Sequence, residues 1–134
     1  MMPHLGQGVV EEPNYSHLLR LTDRRGIFEH AEFLMPRQAH GYCSDDVSRA
    51  LVVLLRVPKP TAQIVAATDT YLKFLEAAVS ANGAVHNRMD ASGAWTDEPT
   101  TNDCWGRTVG ALGLATRLGA SPLLRRRAGR AFRR

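Results

Sequence analysis

Long apolar runs are missing from this 134-residue sequence. No stretch approaches the roughly 18 consecutive apolar residues that a membrane-spanning helix needs, so a transmembrane helix is excluded. The opening "MMPHLGQGVVEEPNYSH" lacks the basic, apolar and small-residue order of a signal peptide, and the expected compartment is the cytoplasm. Cysteine is scarce. Cys43 and Cys104 stand alone, in neither a CxxC nor a Cys/His cluster with metal-ligand spacing, and read as reduced, partly buried thiols. No metal and no cofactor is expected. Acids are absent from the last 18 residues, which hold seven arginines: Arg117, Arg125, Arg126, Arg127, Arg130, Arg133 and Arg134. Removing these seven from the formal charge of +4 leaves −3 on residues 1–116. The basic balance is therefore the property of a tail, not of a domain face.

What is present fits one domain at most, since domains commonly run to about 100–150 residues. A hydrophobic content of 44% permits a buried core. Residues 1–19 read as an irregular segment, residues 20–118 as the domain, and residues 119–134 as an arginine-rich tail, disordered or poorly packed. Residues 18–25 suggest a short helix, and "GIFEHAEF" a strand or a helical turn. The clearest helix covers 44–56. Ser44 or Asp45 caps it, acids suit its first turn, and the prolines of "VPKP" stop it. A second helix is predicted over 62–81, with Ile64, Ala67, Tyr71, Leu72, Leu75 and Val79 at helical spacing and Asn82-Gly83 as its stop. "GAVHNRMDASGAWTDEPTTND" has hairpin character around 84–96. A third helix follows over 103–118, closed by Gly119.

The first and third helices echo each other. "SDDVSRALVVL" and "NDCWGRTVGAL" each carry a capping residue, an acid and an arginine four residues later (Asp45 with Arg49, Asp103 with Arg107), then a compact apolar stretch. With the second helix between them, this is the pattern of an α-hairpin repeat. Gly106, Gly110 and Gly113 suggest close packing among crowded inner helices, which would offset the roughly 1 kcal/mol that each helical glycine costs.

"GYCSDDVSRAL", "YLKFLEAA" and "GAVHNRMDASGAWTDEPTTNDCWGRTVGALG" together resemble the six-hairpin, glycosidase-type (α/α) toroid proteins, in particular a bacterial group found beside or fused to glycosyltransferases. The same motifs are similar to those of the methylmannose-polysaccharide endomannosidase family. The resemblance covers residues 20–118. It departs where Val47-Ser48 replaces the family's usual Asn-Ala, and it stops after two of the six hairpins. Six units would need on the order of 350 residues. The resemblance thus implies an all-α fold, a partial (α/α) toroid of about two helical hairpins with a short β-hairpin-like excursion. It reads as an N-terminal piece with an altered, arginine-rich ending.

Glycoside hydrolysis needs two carboxyls, one protonated to assist the leaving oxygen and one ionised to activate water or attack carbon. Asp46, Asp45, Glu98 and Asp103 are the catalytic candidates, and in toroids of this type the starts of the inner helices face one cleft. The plain alternative is that Asp45 and Asp103 cap helices and pair with Arg49 and Arg107. One acid suffices for a cap, so Asp46 is the favoured functional member. Trp95 and Trp105 flank the second acid group, and indole faces pack against sugar C–H faces. His40, Tyr42 and Asp97, with His86 and Asn87 on the hairpin, complete the substrate-binding candidates.

The implied activity is that of a carbohydrate-active protein, a fragment of a glycoside hydrolase for an α-linked glycan. It is expected to be inactive alone, because a toroid cleft is assembled from many inner-helix ends. The rival is a non-catalytic carbohydrate-binding or scaffold domain accompanying a glycosyltransferase. Expected partners are a glycan and, functionally, a glycosyltransferase, with no membrane. Nucleic acid is disfavoured: the arginines can bind phosphates, but no aromatic-interleaved platform accompanies them, and Phe132 is the tail's only aromatic. Unpaired hairpin faces would leave Leu51, Leu54, Leu112 and Leu114 facing solvent and promote self-association.

Overall fold

The computed structural model describes residues 11–134. Of the N-terminal segment expected to be irregular, residues 1–10 lie outside the described residues. Ser16–Arg20 forms a short helix, α1, that starts two residues before the predicted one. "GIFEHAEF" is extended. Ile27 bridges Thr22, Phe28 bridges Tyr42, and β1 (Ala31–Glu32) pairs antiparallel with β2 (Met35–Pro36). A 3-10 turn at Gln38–His40 leads into β3 (Tyr42–Cys43).

Helix α2 (Ser44–Leu55) follows directly. Val47, Ala50, Leu51 and Leu54 recur at the 3- and 4-residue intervals that line one helix face, and all four are buried. No side chain of Ser44 or Asp45 caps it, contrary to expectation. The orphan amides of the first turn find partners in the excursion instead. Ser44 N donates to Asn87 O at 2.9 Å, and Asp45 N to Asn87 Oδ1 at 3.4 Å. Helix α3 (Ala62–Ala78) is capped by Thr61, whose Oγ1 accepts from Ile64 N at 3.2 Å. It ends three residues before the predicted stop because Val79 turns extended and bridges Val85. Gly83, at φ +85°, closes the intervening turn.

The excursion is a hairpin, as its turn residues predict. β4 (Arg88–Met89) pairs antiparallel with β3, Met89 bridges Trp95, and Val85 bridges Thr100. Its tip is held by Asp90, whose Oδ1 accepts from Ser92 N at 2.9 Å and Ala94 N at 3.0 Å. An aromatic chain anchors this layer. Phe28 stacks on Tyr42, Tyr42 meets Phe74, Phe74 meets Trp95 edge-on, and His86 stacks on Trp95.

Helix α4 (Asp103–Leu118) runs parallel to α2 and beside it. Near the starts Arg107 reaches Asp45. Midway, the buried hydroxyls of Ser48 and Thr108 meet at 3.3 Å. At the far ends Leu55 and Leu118 line one apolar recess. The crowding expected of the α4 glycines is absent at two of them. A Cβ on Gly106 or Gly110 would meet nothing within 4 Å, so both lie on an open flank. Only Gly113 is covered, by the Phe132 ring.

The tail is folded, which corrects the expectation of a disordered end. α5 spans Pro122–Phe132, with Ser121 Oγ accepting from Leu124 N at 3.2 Å and proline in the first turn, where its missing N–H costs nothing. Leu124, Ala128 and Ala131 are buried within the core cluster. The chain thus folds as two antiparallel hairpins, α2–α3 and α4–α5, with α2 and α4 adjacent and α3 touching α5. Three of the four expected exposed leucines are also corrected: Leu51, Leu54 and Leu112 are buried, because α2, α3 and α4 cover one another, while Leu114 is half-buried. The large apolar side chains left to solvent include Val53, Trp105, Leu118, Leu123 and Phe132.

Candidate functional site

The shared start of α2 and α4 gathers the charges. Asp45 takes a 2.9 Å hydrogen bond from Arg107 of the neighbouring helix, not from Arg49 on its own. Its work is to tie two helices together. Asp46 sits one residue on. It accepts a hydrogen bond from Cys43 Sγ at 3.2 Å and lies 3.8 Å from Arg49. Behind it stands a residue the sequence reading did not single out. Glu29 has a side chain only 13% exposed and forms an ion pair with Arg88 of β4. Its carboxylate, the Cys43 thiol and the Asp46 carboxylate lie within 4.8 Å of one another. No sequence signal marks Glu29, since it falls in an aperiodic segment and its partner is 59 residues away.

These three groups are ligand types, but each is already engaged. Arg88 neutralises Glu29 and Arg49 faces Asp46. Burial, with the Asp46 carboxylate beside it, pushes the Cys43 thiol up to about 12, so it holds its proton at neutral pH. The trio forms a knot of hydrogen bonds and ion pairs between the extended layer and α2. Cys104 is buried as well. Neither thiol should react with a thiol-exchange reagent at about pH 8 while the protein is native, and both should react once it is denatured. Rapid native labelling would show that the layer over Cys43 opens.

The other candidates divide. Asp103 is exposed at the start of α4, and with Thr101, Asn102, Trp105, Gly106 and Arg107 it lines an open groove of about 460 Å³. Trp105 offers 39% of its surface there. Arg107 thus ties Asp45 to α4 and shares the groove with Asp103, while Asp46 belongs to the Glu29 knot. Asp97 is structural. Its carboxylate accepts from Asn87 N at 2.7 Å and Arg88 N at 3.1 Å, and it lies 3.5 Å from His86 Nδ1. His86 Nδ1 also lies 2.8 Å from Asp97 O. Tyr42 is buried, its hydroxyl donating to Asp23 Oδ2 at 2.7 Å, and so cannot reach a sugar. Trp95 packs in the aromatic chain with its face against His86. His40 is exposed and meets only the His30 ring edge-on among aromatic neighbours. Glu98 is exposed and has no ion pair among the described residues.

Among the described residues no helix is long and apolar enough to cross a membrane. No family model, no curated protein and no solved structure matches the chain.

Proposed function

We propose that the chain is a two-hairpin portion of a six-hairpin (α/α) toroid that engages an α-linked glycan at the common start of α2 and α4. The observation that carries this reading is the parallel, side-by-side setting of those helices, with α3 and α5 behind them. It puts Asp45, Asp46 and Asp103 at one end, as the inner-helix starts of a toroid cleft require. The open flank at Gly106 and Gly110 is where a third inner helix would pack. The parent activity in this reading is glycoside hydrolysis with Asp46 as one carboxyl, in a cytoplasmic protein working alongside a glycosyltransferase.

Two carboxyls about 5–5.5 Å apart define a retaining pair. Glu29 and Asp46 come within 4.8 Å, but Glu29 is ion-paired with Arg88. With Glu29 engaged by Arg88, no second unpaired carboxyl stands beside Asp46 among the described residues, and in this reading the chain alone binds without turning over. The second reading, a non-catalytic glycan-binding domain, is favoured by one specific feature: the groove at Trp105. Indole supplies an apolar face, and Asn102, Asp103 and Arg107 supply hydrogen-bonding groups at its edge.

Titrating the chain with oligosaccharides from α-mannan and α-glucan should change tryptophan fluorescence, and the Trp105→Ala variant should lose the change. Reducing-sugar release should stay at the level of Asp46→Asn. Turnover abolished in Asp46→Asn would establish hydrolysis by two hairpins. Absence of any fluorescence response would remove the glycan reading.

A further inference from the structure

The folding of α5 changes what its arginines can do. Arg127 turns toward α3 and is satisfied there by Asp69 and Glu76. Arg125, Arg126 and Arg133 turn the other way, and Arg130 stands between, bordering Glu76 and Arg127 on one side. Together with Gly129 and Phe132 they line a groove of about 810 Å³ along α5, beside α4. None of these four has an ion pair among the described residues, although Arg125 donates to Gly119 O at 2.7 Å. Residues 104–134 contain no carboxylate side chain to supply one. Like charges at i,i+4, such as Arg126 and Arg130, oppose the helix that carries them. A bound polyanion would relieve that repulsion and stabilise the fold by mass action.

We propose that this groove binds single-stranded nucleic acid, with phosphates on Arg126, Arg130 and Arg133 and a base against Phe132. Three features favour that occupant. The guanidinium groups come from successive turns of an 11-residue helix, so they repeat at about one helical pitch, 5.4 Å, along a line that an extended phosphodiester can follow. Phe132 is 47% exposed within the groove, which supplies the stacking face that single-strand sites combine with a cationic track. Gly129 contributes no side chain to the wall between them. An acidic peptide has no need of the aromatic face. The site lies on α5 and does not depend on the glycan reading.

Anisotropy of a fluorescein-labelled oligothymidylate, titrated with the full chain over a range of salt, tests this. Affinity should fall as salt rises. In Arg126→Gln/Arg130→Gln/Arg133→Gln the low-salt affinity should drop at least tenfold. The slope of log affinity against log salt should become shallower by about 2, from about 0.7 per lost phosphate contact. A circular dichroism melt matching the parent's would confirm that the variant is folded. No binding at low salt, or a slope unchanged in the triple variant, would overturn the proposal. So would duplex of the same sequence binding as tightly, or polyglutamate or anionic vesicles competing equally well.

Discussion

Gly41→Ala is expected to destabilise the protein by at least about 3 kcal/mol, lowering the melting temperature by roughly 10 °C or more. Gly41 sits between the 3-10 turn and β3 at φ +66°, ψ −140°, a region that residues with a Cβ rarely enter. Space is denied as well. A Cβ there would stand 2.2 Å from Met89 O and 3.0 Å from Asp90 Cα, both backbone atoms of the opposing hairpin that cannot rotate away. The damage would spread along the chain. Gly41 O accepts from Glu29 N at 3.0 Å, and β3 continues into α2, whose first amides depend on Asn87. Displacing β4 therefore frees Glu29 from its knot and uncaps α2 together. Gly110→Ala is the contrasting case. Its position is exposed in the interior of α4 with open space at Cβ, and alanine should stabilise by about 0.5–1 kcal/mol. Urea or thermal unfolding followed by circular dichroism measures both. Equal stability of Gly41→Ala and the parent chain would mean that the β3–β4 pair does not constrain α2.

The contrast between these glycines also shows what the sequence reveals. Local signals located α2, α3 and α4. Acids begin α2 and α4, Ala50, Leu51, Leu54 and Leu55 lie along α2, and prolines or glycine end α2 and α4. The hairpin was legible from "DASG", and Asp90 and Gly93 serve the turn as that motif implies. Pairings distant in sequence were not legible. Val79 leaves α3 early because Val85 and Thr100 take it into a strand-like arrangement. Glu29 gains its place from Arg88, and Tyr42 loses its availability to Asp23, each through a partner far along the chain. Asp45 looked like a cap with an i+4 arginine, yet Arg107 on the neighbouring helix outcompetes Arg49 for it. "SPLLRRRAGRAFRR" allows the start of a fourth helix, but the docking of α5 is not legible, for the same reason. Its core face is mostly alanine, which carries a weak hydrophobic signal, and its acidic partners lie 51 and 58 residues upstream.

That remote pairing makes Arg127→Glu the second large effect, an expected loss of about 3 kcal/mol at neutral pH. The Arg127 side chain is 18% exposed, and its guanidinium donates to both Glu76 oxygens, at 3.0 and 2.9 Å, and to Asp69 at 2.6 Å. Such a fork fits a planar guanidinium and no other side chain. Glutamate would place a third carboxylate against two, with the favourable charge gone and repulsion in its place. The pH dependence should reverse along with the charge. In the parent chain burial pushes the Asp69 carboxyl up, but hydrogen bonds from Arg127 and Lys73 outweigh it and hold the group below its ordinary value. The stability this lends is complete above the unfolded carboxylate value of about 3.9 and is lost as pH falls through the lower folded value. In Arg127→Glu, crowded carboxylates bind protons more readily folded than unfolded, so acidification from neutral pH should recover stability. Urea unfolding at neutral pH and near pH 4 reads the variant's recovery, and continuing it below about pH 3 reads the parent's loss. Limited trypsin digestion reports the structural consequence. With α5 undocked from α3, cleavage at Arg125, Arg126 and Arg130 should precede any cut in α2. A variant that resists trypsin in α5 and keeps the parent's pH slope would show that Leu124, Ala128 and Ala131 hold the helix without its ion pairs.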